Sequence, residues 1–176
     1  MRQLQEHGAG PAIADTAPVA AVHARRLALA GTVAVLAVVL DQLTKTWAVN
    51  ALSDRDIDLF WTLRLHLVHN TGSSFSLAAG RGGLVALIAI PVVLVMLWVG
   101  RTVETTAGAV ALGLVLGGAI GNLVDRLLRT GHGFLGGGVI DFIDPQWWPV
   151  FNVADIAISC GGVLLVLASA RAPRPS

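Results

Sequence analysis

The chain has 176 residues, 55% of them hydrophobic and 13% charged, against roughly 45–50% and about 25% in an ordinary soluble domain. With a mean hydropathy of +0.72, it has too little charge to cover a soluble globule and is too apolar to be intrinsically disordered. The net charge of +1 points to no nucleic-acid partner, and a single cysteine excludes an internal disulfide framework or a cysteine-based zinc cluster.

Residues 1–24 are rich in Ala, Gly and Pro without periodicity, which predicts a disordered tail. Arg25 and Arg26 then open an apolar stretch, and a first span is expected from about residue 26 to 49. That length of about 20 residues is reached only if Asp41 and Lys45 are included. Two arginines before an apolar run also resemble a secretory signal. No small-residue cleavage site follows promptly and three more apolar stretches come later, so a retained span is expected.

Between this span and the next, about thirty residues are not membrane-like. Thr62-Leu63-Arg64-Leu65-His66-Leu67 alternates polar and apolar residues, the period of a half-buried strand. Asn70-Thr71-Gly72 ends it with turn chemistry. A small sheet on the outer surface is predicted, with Leu63, Leu65 and Leu67 resting on lipid or on the helices. His66 and His69, three apart on a strand, would face opposite sides and make poor metal ligands.

Further spans are expected at about 82–100, with Pro91 as a kink site, at 107–127 and at 150–170. The loop from Thr130 to Pro149 has seven residues that are Gly or Pro, and is predicted to be irregular and mobile. Residues 171–176 form a short basic tail. An even number of spans puts both termini on one side, and Arg25-Arg26 with Arg171 and Arg174 favour the cytoplasm.

The polar residues inside these spans carry the functional signal, because each costs roughly 2.5–3.5 kcal/mol on insertion scales. Asp41 and Lys45 share a helix face at a spacing of four, read as a neutralising pair that orders the site. Gly113, Gly117 and Gly121 form a small-residue stripe for close helix packing. Gly118, Asn122 and Arg126 form a second stripe, with Asp125 beside Arg126, and could hold an anion or a carbonyl. Asp141 and Asp144 precede Trp147-Trp148-Pro149, while Asn152 and Asp155 open the last span. For Asp144 a place near a helix N-terminus is explanation enough, but Asp155 stands among apolar neighbours. Cys160, in an apolar run with no base nearby, is expected to be buried and inert. A Ser–Lys pair of Ser73 or Ser74 with Lys45 ranks a poor second. A proton-coupled transporter is the rival from another class. It would favour midplane charges and repeats, neither of which is present.

Five segments together resemble one family. They are Asp41-Gln42-Leu43-Thr44-Lys45, then Asn70-Thr71-Gly72-Ser73-Ser74-Phe75, the run from Gly117 to Arg126, the run from Val139 to Asp144, and the run from Trp148 to Asp155. In this order they are similar to bacterial lipoprotein signal peptidases, the signal peptidase II family of aspartic intramembrane peptidases.

The resemblance implies an all-α membrane protein of four transmembrane helices, with a small extracytoplasmic β-cradle and a lid loop at about 131–138. It implies catalytic aspartates at Asp141 and Asp155, and supporting residues at Asp41, Lys45, Asn70, Gly118, Asn122, Arg126 and Asn152. No metal or organic cofactor is expected. The implied substrates are diacylglyceryl prolipoproteins, cut before the lipidated cysteine, and membrane lipid is the other expected partner. The expected form is a monomer in the bacterial cytoplasmic membrane with its site towards the outer face. Ser73 and Ser74 depart from the family, where alanines are usual, and the glycine-rich stretch before Asp141 is longer than usual.

Overall fold

The computed structural model describes residues 17–71, 82–130 and 135–170. Ser73 and Ser74, the first half of the expected lid, most of the expected N-terminal tail and the basic C-terminal tail lie outside the described residues. The elements run α1 (Ala17–Ala51), β1 (Ile57–Phe60), β2 (Leu63–Asn70), α2 (Gly82–Val99), a 3-10 turn (Gly100–Thr102), α3 (Thr106–Leu128), β3 (Val139–Asp144) and α4 (Val153–Ala170).

Helix α1 starts at Ala17, inside the segment expected to be a tail, and so is 35 residues long. Its opening Ala17-Pro18-Val19-Ala20-Ala21 explains the difference: proline is tolerated in a first turn, and alanine is the strongest helix former. Among the described residues, Val19–Ala51 and Thr106–Leu128 are long and apolar enough to cross a bilayer.

Helix α3 is the central element, and its two glycine stripes decide what it touches. A Cβ on Gly117 would lie 2.6 Å from both Ala34 O and Ala37 Cβ of α1, and one on Gly118 would collide with Ala154 O of α4. Only hydrogen lets both neighbours approach so closely. Gly161 of α4 returns the contact, since its Cβ would lie 2.9 Å from Ala111 O.

The predicted small sheet is present, with three antiparallel strands in the order β1-β2-β3. Strand β3 corrects the expectation of an irregular loop from Thr130 to Pro149. Glycines at 136–138 hid it in the sequence, but Val139-Ile140-Asp141-Phe142 is fully buried and pairs with β2 through Asn70↔Val139 and Val68↔Asp141. Leu65 and Leu67 pack with Ala48 of α1, with Leu52 just past its end, and with Ile140 and Phe142. The helix, and not only lipid, therefore covers their face. A second link follows: Phe151 exchanges backbone hydrogen bonds with Ile143, at 2.9 and 3.1 Å. That bridge sets the start of α4 against β3.

Candidate active site

Lys45 is the fixed point of the polar cluster. It is fully buried, and its ammonium lies 2.8 Å from Asp41 Oδ2 and 2.9 Å from Asp125 Oδ2. It also donates to Asn122 Oδ1 at 2.9 Å. All three donor hydrogens of a lysine ammonium are thereby used. Asp41 in turn accepts the backbone N–H of Ala154 through Oδ1 at 3.0 Å. Asp125 accepts from Arg129 Nε at 2.8 Å and from the backbone N–H of Ile140 at 3.2 Å. One lysine thus ties α1 to α3, and its two carboxylates reach on to α4 and β3.

Asp125 and Gln42 were missed as site residues from the sequence. Gln42 Nε2 donates to Asp41 Oδ2, Gly121 O and Asp125 Oδ1 at 3.1 to 3.3 Å. The available signal was the spacing of four between Asp125 and Arg129, which marks a helix face carrying its own ion pair. Among the described residues, every buried side-chain nitrogen and oxygen has a partner, as the cost of an unpaired buried group demands.

The second part of the cluster holds Asp141 and Asp155. Asp141 is buried on β3; its Oδ1 accepts from Asn152 Nδ2 at 2.6 Å and its Oδ2 from Asn70 Nδ2 at 2.8 Å. Asp155, in the first turn of α4, accepts from Asn122 Nδ2 at 2.9 Å through Oδ1 and from the backbone N–H of Asn152 at 3.2 Å through Oδ2. The helix begins three residues later than expected, so Asp155 lies nearer its end. Asn152 is fully buried and joins the halves, donating to Asn122 Oδ1 at 3.1 Å and accepting the backbone N–H of Asp155 at 3.0 Å.

Burial pushes the Asp141 carboxyl up to about 6; the Asn70 hydrogen bond opposes that shift and the neighbouring charge of Asp155 adds to it. Both aspartates line one cavity of about 360 Å³, together with Asn70, Asn122 and Arg126 and with apolar walls that include Val92, Ala119 and Ile158. Eight of the nine predicted site residues thus meet through side-chain hydrogen bonds, ion pairs or this cavity. Gly118 contributes only close packing, which holds α4, and with it Asp155, against α3.

The residues set aside from the chemistry lie apart. Asp144 binds Arg64 Nε at 2.6 Å and the backbone N–H of Gln146 at 2.8 Å. Burial would raise its carboxyl, but these bonds outweigh it and hold it below the ordinary range. His66 pairs with Asp56 at 2.7 Å, and His69 is exposed. Cys160 is exposed on the chain surface, contrary to the expectation of burial. It lies on the same outward side of α4 as Ile156, Val163 and Leu167, a side apolar enough for lipid to cover.

This arrangement, long apolar helices around a polar cluster beneath a small sheet, has the fold of a bacterial membrane enzyme. The chain is similar to a solved structure described as "Bacterial membrane enzyme structure by the in meso method at 1.9 A resolution", with a TM-score of 0.67 at 24% identity, over 82% of this chain and 94% of that one. A second structure of the same description, at 2.3 A, gives a TM-score of 0.65 over 84% and 93% of the two chains, also at 24% identity.

The family model for signal peptidase (SPase) II matches residues 33–171. The lipoprotein signal peptidase of Rhodococcus jostii is 45% identical over 152 residues, 85% of this chain and 76% of the relative. That of Mycobacterium tuberculosis (strain ATCC 25618 / H37Rv) is 44% identical over 147 residues, 82% and 72% of the two. The chain belongs to the signal peptidase II family, and is therefore a peptidase and an integral membrane protein.

Proposed function

We propose that this peptidase removes signal peptides from diacylglyceryl-modified prolipoproteins, cutting before the lipidated cysteine, and that Asp141 and Asp155 are its catalytic pair. The observation that carries this reading is the shared cavity: two carboxylates, each held by side-chain amides, face one space with apolar walls. Two carboxylates in such a setting cannot both ionise cheaply, so they share a proton. The ionised member takes a proton from water, and that water attacks the scissile carbonyl. The protonated member hydrogen-bonds the carbonyl oxygen and then protonates the leaving amine.

The other residues hold and do not react. Asn70, Asn122 and Asn152 fix the carboxylates, while Arg126 positions substrate backbone from the cavity wall. Lys45 neutralises Asp41 and Asp125 and keeps α1, α3 and β3 in register. All four helices cross the bilayer, both termini are cytoplasmic, and the sheet is an extracytoplasmic cradle over the site. The enzyme works as a monomer without metal or organic cofactor. The substrate's signal helix lies beside α2 and α3, with its acyl chains left in lipid.

The test is incubation of the purified protein with a prolipoprotein peptide, with and without the diacylglyceryl group. Mass spectrometry should find one cut, immediately before the modified cysteine, in the lipidated peptide alone. Equal cutting of both peptides, or a cut elsewhere, overturns the assignment.

A further inference from the structure

At the other end of α1, some fifteen residues or roughly 22 Å from Asp41 along the helix, lies a recess of about 530 Å³ between the first turns of α1 and the turn that leads into α3. His23, Arg26, Arg101 and Glu104 line it, with Val22 and Val103 as apolar wall. A smaller recess of about 260 Å³ adjoins it, sharing Val22 and Arg26 and adding Arg25 and Leu29. Among the described residues no ion pair or side-chain hydrogen bond engages Arg25, Arg26, Arg101 or Glu104. Arginines in a family of membrane enzymes, half walled by valine and unneutralised by the acid beside them, call for an anion. The chain around them is apolar and outward-facing, with Val19, Val22 and Leu27 exposed. A soluble anion would leave those groups in water, whereas a lipid would cover them.

We propose that this recess binds the phosphate headgroup of an anionic phospholipid, with Arg26 and Arg101 on the phosphate and the acyl chains along the apolar flank of α1. Basic pockets between transmembrane helices are a recurrent setting for such headgroups. The site is separate from the catalytic cavity, and its test reads headgroup charge in a symmetric bilayer. The outcome therefore does not depend on the topology or on the catalytic pair.

The full chain is reconstituted in nanodiscs of phosphatidylcholine doped with phosphatidylglycerol, extracted, and the retained lipid measured by native mass spectrometry. The wild type should retain phosphatidylglycerol selectively. Arg26→Gln with Arg101→Gln should lower that selectivity about 30-fold, from about 1 kcal/mol for each arginine. Arg55→Gln, beyond the far end of α1, should leave it unchanged, and Glu104→Gln should raise it, a gain no misfolded variant could give. Excess inorganic phosphate should not strip the lipid. Stripping by phosphate alone, equal retention of both lipids by the wild type, or unchanged selectivity in Glu104→Gln and in the double variant would each overturn the proposal.

Discussion

Asn152 donates its side-chain amide to Asn122 Oδ1 at 3.1 Å, and the orientation of both amides is fixed from outside the pair. Asn122 Oδ1 also receives Lys45 Nζ, a group that can only donate, and Asn152 Oδ1 receives the backbone N–H of Asp155. Each asparagine therefore presents N–H to an aspartate: Asn122 to Asp155, Asn152 to Asp141. Amide hydrogens do not transfer at neutral pH, so under the proposed mechanism the proton that the two acids share would lie on their cavity side.

Asp141→Asn and Asp155→Asn should each lower the cleavage rate by about 10²–10⁴ or more, the usual range for a lost acid–base group. The double variant should be scarcely slower than either single one, because the pair acts as a unit. Single-turnover cleavage of lipidated peptide is the measurement. Near-normal turnover in either folded single variant would refute the pair.

The activity should also fall on the alkaline side with Asp141. Its carboxyl titrates at about 6, so above that pH the shared proton is lost and kcat/KM should decline. Stability moves the same way. The folded state keeps this proton up to about 6 while the unfolded chain releases it near 3.8. The contribution is therefore present below about pH 4 and is lost as pH rises to about 6. The difference in Tm between wild type and Asp141→Asn, followed across that interval, checks the sign; a pH-independent difference contradicts it.

Lys45→Met should destabilise the protein by about 3–5 kcal/mol, because it leaves Asp41 and Asp125 buried without their shared counter-charge. Chemical denaturation in detergent should register the loss. Lys45→Arg is not a conservative rescue, since a planar fork cannot reproduce three divergent bonds.

Asp144→Asn should leave cleavage within about tenfold of wild type, far less than the loss of an acid–base group, but should loosen β2 from β3. Its carboxyl is held below the ordinary range by Arg64 and the Gln146 N–H, after burial is overcome. The stabilisation it gives is present above about pH 4 and is lost as pH falls through the folded value. Hydrogen exchange at Arg64 and Leu65 should therefore quicken in the variant at neutral pH and converge with wild type in acid.

Gly118→Ala should reduce activity and Tm together, since the added carbon meets backbone at Ala154 and the side chain of Ile158, at 2.7 Å from its Cγ1. Gly162→Ala, on the same helix pair but with open space at that position, should be silent. Equal effects of the two would remove the packing argument.

Local pattern was enough for much of this molecule. The Asp41–Lys45 spacing, the glycine stripes and the alternation of Leu63, Leu65 and Leu67 each report a helix face or strand face directly. What stayed hidden depends on partners far along the chain. Asn70 reaches Asp141 only through a strand pairing across 71 positions. Strand β3 is too short and too closely flanked by glycine to announce itself. Asp125 looked like a companion of Arg126, yet its oxygens face Lys45 from another helix, Arg129 one turn on, and the backbone of Ile140. The start of α1 was misjudged for the opposite reason: an alanine-rich segment has no periodicity to detect, although it is an excellent helix.

The ion pairs within single helices bear on how the chain enters the bilayer. Asp41 and Lys45 are paired within α1, and Asp125 of α3 pairs with Arg129, the residue that caps that helix. Each of these segments can leave the translocon carrying its own counterion, before the other is present. The Lys45–Asp125 contact is then made laterally, between a base and an acid that already have partners in their own segments. Helix α4 has no lysine or arginine to accompany Asp155, and it carries that acid at its very end. That carboxyl gains the amide of Asn122 only once α4 has packed against α3, so its partner comes from the fold and not from the segment it arrives on.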